Sequence, residues 1–162
     1  MAPHSASDLR IEKRRSEAGI RLTTGAMVHG NFFTSDGSPL HAGPERIGDL
    51  LNAESGFFPF ERRDEDGLQT MILNRAHVVV VAVSRDEPRR EPGYEMARRE
   101  TVSMLLSTGQ RLSGSICVYQ PEGHNRLSDW SKSGDAFLYL ETDGLALLVN
   151  RAHIVQIVEV QS

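Results

Sequence analysis

At 162 residues and 18.0 kDa the chain has room for one ordinary domain or two very small ones, either of which can bury a core. Its 39% hydrophobic and 25% charged residues describe a globular chain, and no stretch approaches the roughly 20 apolar residues that span a bilayer. A single cysteine, Cys117, excludes an internal disulfide framework and a multi-cysteine zinc cluster. The formal charge of -4 argues against a broad nucleic-acid-binding face and leaves room only for a local basic patch.

In chain order, residues 1–16 are polar and carry four basic against two acidic groups, which predicts a flexible tail or a short docking helix. Arg10, Lys13, Arg14 and Arg15 are followed by no apolar run, so no signal peptide is expected and the location expected is cytoplasmic. Residues 17–84 follow as a mainly β unit. In it the glycines Gly25 and Gly30 sit in strand-like sequence, where a missing side chain permits a tight turn or a sharp bend. The block from Arg46 is helical for two turns at most. Phe57 to Glu61 reads as a strand leading to the turn signal Asp66-Gly67, and Val78 to Val83 is too short and too β-branched for a helix. Residues 85–100 hold five arginines and five acids with Pro88, Pro92 and Gly93. They read as a charged linker, with a short helix expected from Tyr94 into Arg99. Residues 101–162 repeat the pattern with Gly109, Gly114, the strand Ala136 to Glu141, the turn Asp143-Gly144 and the strand Ile154 to Val160.

The repetition is residue by residue. Leu22 to Gly30 aligns with Leu106 to Gly114 at an offset of 84, both reading Leu-x-Thr-Gly-x-x-apolar-x-Gly. Arg46-Ile47-Gly48-Asp49-Leu50 aligns with Arg126-Leu127-Ser128-Asp129-Trp130 at 80, as does Glu61 with Glu141. Asn74-Arg75-Ala76-His77 recurs as Asn150-Arg151-Ala152-His153 at 76. Three blocks in one order imply a duplication with shorter loops in the second copy. The fold expected is therefore two tandem five-stranded small barrels with short helical insertions, packed about a pseudo-twofold or a ring-like axis.

The Leu-x-x-Gly-x-x-apolar-x-Gly-x-apolar runs, Leu22 to Phe32 and Leu106 to Ile116, resemble the first motif of Sm-like (Lsm) small β-barrels. The apolar-Asn-Arg-Ala-His-apolar blocks are similar to that family's second motif. The resemblance implies five-stranded barrels that associate by pairing edge strands, and RNA binding only weakly. The Asp and Asn that read a base in the family are replaced here by the insertions 34–45 and 121–125, and the second motif keeps Arg75 and Arg151 but lacks its glycine.

Arg75 with His77 and Arg151 with His153 are the candidate binding residues, two equivalent cationic turns suited to a phosphate or carboxylate, with imidazoles of the kind that titrate near neutral pH. The bland reading is that each arginine bonds loop carbonyls or a nearby acid while His and Ala pack at the turn between strands and keep register. Arg46 with Asp49 and Arg126 with Asp129, next to Trp130, are spaced for an ion pair on one helical face and read as structural latches or interface positions. Asp129 to Gly134 spells Asp-x-Ser-x-x-Gly and Arg85 to Arg89 spells Arg-x-x-x-Arg, which resemble cyclic-dinucleotide motifs of PilZ domains. The first copy lacks the serine. Cys117 aligns with Phe33, a position suited to core packing, and His41 and His124 lack metal-ligand spacing. No nucleophile elbow, P-loop or dinucleotide fingerprint occurs. The function expected is a non-enzymatic assembly or interaction module, without cofactor or metal, binding a protein partner or a further copy of itself. The alternatives are an Sm-like RNA binder, disfavoured by charge, and a cyclic-dinucleotide receptor.

Overall fold

Runs of β-branched and aromatic residues punctuated by glycine turns give the chain ten antiparallel strands, described in a computed structural model over residues 13–37, 43–119 and 134–160. The first half contributes β1 (Lys13–Leu22), β2 (Met27–Ser35), β3 (Phe57–Asp64), β4 (Gly67–Asn74) and β5 (Val78–Val83). The second contributes β6 (Arg98–Leu106), β7 (Arg111–Val118), β8 (Phe137–Thr142), β9 (Leu145–Asn150) and β10 (Ile154–Glu159). Among the described residues two short helices, α1 (Ile47–Ala53) and α2 (Asp86–Arg89), accompany the strands together with single 3-10 turns.

The two halves carry the same ladder. Ala18 faces Gly30 and Val102 faces Gly114; Phe57 faces Asn74 and Phe137 faces Asn150; Ile20 faces Val81 and Met104 faces Ile157. Even the register shift near the start of the fifth strand recurs, between Arg21 and Leu22 in one half and opposite Ile154 and Gln156 in the other. The paired glycines are explained by close approach. A Cβ on Gly30 would overlap the Glu61 carbonyl oxygen, and one on Gly114 would overlap that of Glu141. The sharply bent second strand therefore tolerates no side chain where it crosses the third.

Where two separate barrels were expected, one continuous sheet is found, in the order β10-β6-β7-β8-β9-β5-β1-β2-β3-β4. It is joined in the middle by β5 against β9, with Val80 opposite Val149, Val81 opposite Leu148, Ala82 opposite Leu147 and Val83 opposite Ala146. A pseudo-twofold axis would have paired like with like. Instead the fifth strand of one half meets the fourth strand of the other, a head-to-tail join. Two cores lie on either side of it. Val78, Val81 and Val83 enter the first with Phe32, Phe58 and Phe60, while Val79 and Val80 enter the second with Met104, Ile116 and Leu140. β5 is thus buried on both faces, which is why it reads as an unbroken apolar run rather than an alternation.

Two local expectations are corrected. β1 begins at Lys13, so the last residues expected in the tail are paired with β2. Residues 85–100 are not an open linker: α2 buries Glu87 and Pro88, a 3-10 turn spans Tyr94–Met96 where a helix into Arg99 was expected, and β6 already runs from Arg98. The physical reason is the burial of Glu87, whose carboxylate accepts backbone donors from α1 and thereby anchors the segment.

Candidate functional site

Each Asn-Arg-Ala-His block ends a strand and turns through one 3-10 helix, Arg75–His77 between β4 and β5 and Arg151–His153 between β9 and β10. The asparagine shapes the turn: Asn74 Oδ1 accepts the Ala76 N–H at 3.0 Å, and Asn150 Oδ1 accepts that of Ala152 at 3.0 Å. Each histidine ties its turn to the Leu-x-Thr-Gly region. His77 Nδ1 lies 2.9 Å from Thr23 Oγ1, and His153 Nδ1 lies 2.8 Å from Ser107 Oγ. The backbone repeats the tie, Thr23 N–H donating to His77 O and Ser107 N–H to His153 O.

What distinguishes the two corners is what lies beyond them. Asn150 Nδ2 crosses to the first half and donates to Val78 O at 2.8 Å and Arg75 O at 3.3 Å. His153 Nε2 donates to Ala76 O at 2.9 Å. A carbonyl can only accept, so Nε2 carries the proton and, on a neutral ring, the Ser107 hydroxyl donates to Nδ1. The equivalent groups of the first half, Asn74 Nδ2 and His77 Nε2, have no such partner among the described residues. Asn150 is accordingly buried while Asn74 is half-buried and His77 exposed.

The same asymmetry runs along the strands. Val79 is 0% exposed but its counterpart Val155 is 63% exposed; Leu148 is 0% exposed but Ile72 is 62%; Phe137 is 2% exposed but Phe57 is 64%. Of these, Ile72 on β4 and Val155 on β10 stand in water on the strands that end the sheet, at positions whose counterparts on β9 and β5 the inner join covers.

Arg75 is turned inward. It is buried, with Nη1 donating to Phe57 O at 2.8 Å and Nη2 to Leu50 O at 3.1 Å, and its guanidinium carbon lies 5.4 Å from the Phe58 ring centre. Burial pulls its pKa below the ordinary guanidinium value, with Glu54 at 3.8 Å opposing the shift. Arg151 is half-buried in the matching turn.

Arg46 and Asp49 form a buried clasp, N–H and guanidinium both on the carboxylate, closest at 2.9 Å. The same arginine donates to Glu91 Oε2 at 2.7 Å and Glu87 O at 3.2 Å, and its guanidinium carbon lies 5.5 Å from the Tyr139 ring centre. Burial opposes its charge, but the bonded Asp49 and neighbouring Tyr139 hold its pKa above the ordinary value. Glu87 accepts the N–H groups of Ile47 at 2.8 Å and Gly48 at 3.3 Å and the Tyr139 hydroxyl at 2.9 Å. Burial raises the Glu87 pKa, and these donors only partly offset it. Asn52 adds a reciprocal pair with the Phe137 backbone, at 3.0 Å and 2.7 Å. α1 and the 85–92 segment thus clamp the first half onto β8 of the second. A cavity of about 550 Å³ opens beside the clamp, reaching Cys117 and Glu141. The Cys117 thiol is pushed up to about 11 by burial and by Glu141, so it stays protonated near neutral pH.

Arg126, Asp129 and Trp130 lie outside the described residues, as does the Asp129 motif up to Ser133. Arg85 and Arg89 are exposed on and beside α2. Among the described residues no group of three or more His, Cys, Asp or Glu is placed to hold a metal, and no helix is long and apolar enough to cross a membrane.

No protein-family model, no curated protein and no solved structure matches the chain. The role of the site rests on its own geometry. Sequence reasoning singled out the arginines and histidines of the repeated turns but not Asn74 and Asn150, although the asparagine is part of the same repeated block. It passed over Glu87, which lies outside the repeated blocks, and did not pair it with Tyr139, because no sequence signal brings residues 52 apart into contact.

Proposed function

We propose that the protein is a non-enzymatic assembly module, built from two tandem Sm-like units and associating through the strand edges that its own fold leaves open. The observation that carries this reading is the contrast between the inner join and the outer edges. One fourth-to-fifth strand junction is closed inside the chain by β9 and β5, and the same two surfaces reappear uncovered on β4 and β10. Exposed edges bearing Ile72 on β4 and Val155 on β10 are templates for pairing, and natural folds cover or charge such edges unless they use them. An Sm-like origin of the halves accounts for both the repeated ladder and the head-to-tail sense of the join.

Charge gives the nucleic-acid alternative less support. Residues 17–83 carry five basic and nine acidic groups, and Arg75 is buried with Nη1 and Nη2 on carbonyls of its own half. Size-exclusion light scattering with absorbance at two wavelengths, on protein purified without nuclease, separates the readings in one run. A protein-like absorbance ratio at a multiple of 18.0 kDa is the expected result. A nucleic-acid-rich peak that disappears at high salt would turn the reading toward nucleic acid.

A further inference from the structure

We propose that the cavity at the seam of the two halves binds a small organic cation, an ammonium carried on a flat aromatic body, between α1 and the outward face of β7 and β8. The proposal is independent of the assembly reading, because no residue of β4 or β10 is among the described residues that line the cavity.

The space exists because the two copies differ here while their ladders repeat. Alternate residues of a strand face opposite ways. Ile116, Val118 and Leu140 enter the second core, whereas Ser115, Cys117, Phe137, Tyr139 and Glu141 line the cavity. Their counterparts in the first copy are Asn31, Phe33, Phe57, Pro59 and Glu61. There Asn31 reaches Glu61 at 3.1 Å and Phe33 supplies a ring. In the second copy the smaller Ser115 and Cys117 take those places beneath α1 and the Pro88 to Pro92 segment, and about 550 Å³ is left between floor and roof. Protein interiors rarely leave a void larger than a water molecule, and this volume is that of a small-molecule site.

The walls are fixed in advance. A Cβ on Gly48 would overlap the Tyr139 hydroxyl, so this glycine lets α1 close onto β8, where that hydroxyl donates to Glu87 at 2.9 Å. Asn52 holds the Phe137 backbone from the other side of the same helix.

The charge of the lining selects the ligand. Asp49, Glu91, Asp135 and Glu141 line the cavity with Arg46. Each guanidinium nitrogen of Arg46 is already bonded, Nε to Asp49, Nη1 to Glu87 O and Nη2 to Asp49 and Glu91. Even counting Arg99, 3.9 Å from Glu141, acids exceed bases by four to two. A cleft lined by one sign of charge concentrates the opposite sign, so an anion is rejected and a cation drawn in. Phe137, Tyr139 and Tyr119 with Pro88 and Pro92 supply apolar surface on which an aromatic body gains area that a bare amine does not.

The test is calorimetric titration of the full chain with tyramine, whose amine is charged at neutral pH, beside its neutral analogue tyrosol and the anion 4-hydroxyphenylacetate. Tyramine is expected to bind one per chain and roughly tenfold or more tightly than tyrosol, and the anion to give no heat. n-Butylamine, which carries the ammonium on a lysine-like stem without a ring, is expected to bind roughly tenfold more weakly than tyramine. Glu141→Gln and Asp135→Asn should each weaken tyramine by roughly three- to tenfold. Cys117→Phe, which restores the first-copy residue, should abolish the heat without lowering the thermal melt, and Cys117→Ser, which keeps the space, should retain it. If Cys117→Phe does not fold, Ser115→Asn supplies the corresponding block with the first-copy amide. No heat from tyramine at millimolar concentration, equal affinity for tyrosol, or heat that survives the filling variant would overturn the inference. Butylamine binding as tightly as tyramine would overturn it in favour of a lysine side chain from another protein.

Discussion

Two regions of this molecule have nearly the same sequence pattern and opposite surroundings. At the inner join, Phe137, Leu148 and Val79 are sealed, Asn150 and His153 reach across to carbonyls of the other half, and the clamp of Arg46, Glu87 and Tyr139 bolts the seam from one side. At the outer edges Ile72 and Val155 stand in water, and Asn74 Nδ2 and His77 Nε2 have no cross-half partner among the described residues. The difference teaches that the strand sequence does not decide burial here. Position in the chain of repeats does, because only the middle of a head-to-tail pair has neighbours on both sides.

Breaking the inner side should therefore cost far more stability than breaking the outer side. The largest effect is expected from Arg46→Ala. It removes the guanidinium from its buried pairing with Asp49 and should lower unfolding free energy by about 3–5 kcal/mol in a urea titration. A loss below about 1 kcal/mol would mean the clamp is not what holds the halves together.

Leu148→Ala comes next, at about 2–5 kcal/mol from a cavity between the cores, while Ile72→Ala measured on dissociated chains should cost under about 1 kcal/mol. Equal costs for the two would erase the inner-outer distinction. For the corner, Asn150→Ala removes its bonds to Val78 and Arg75 and one turn bond, and about 1–3 kcal/mol is expected in the same titration. Asn74→Ala should cost less in the dissociated chain, since only the turn bond is lost there.

The smallest effect is electrostatic. The folded pKa of Glu87 is raised above its unfolded value by burial, so the folded state holds the proton more tightly and stability falls as pH rises from the ordinary carboxylate value through the folded one. Glu87→Gln should remove that slope, giving a variant whose stability relative to the wild type improves across the same window. A parallel pH profile for the two proteins would show that Glu87 does not titrate as its burial requires.

Much of the local structure was legible. The glycine-bent second strands, the Asp-Gly hairpins, the two-turn α1 and the repeated Asn-Arg-Ala-His corners all rest on steric or hydrogen-bond rules that act over a few residues. For Arg75 one reading is bonding to loop carbonyls or a nearby acid; its Nη1 and Nη2 donate instead to carbonyls of regular elements, Phe57 in β3 and Leu50 in α1. Less legible was the 85–100 segment, whose balanced charges and prolines look like a linker until Glu87 is seen buried against the N–H groups of Ile47 and Gly48. A carboxylate buried for its backbone partners carries the same letter as one in solvent.

The sequence by itself determined the ladder within each half, because period, turn chemistry and the two glycine contacts are properties of short stretches repeated at constant offsets. The tertiary structure alone decided which fifth strand meets which fourth strand. That choice turns on contacts between residues 63 to 69 apart, such as Val81 with Leu148, for which the repeated sequence offers a second solution on β4 and β10. Physically, the strand edge is defined by unpaired backbone groups that every sequence possesses, so only the closing geometry of the whole sheet could say which edge is filled and which is left for another molecule.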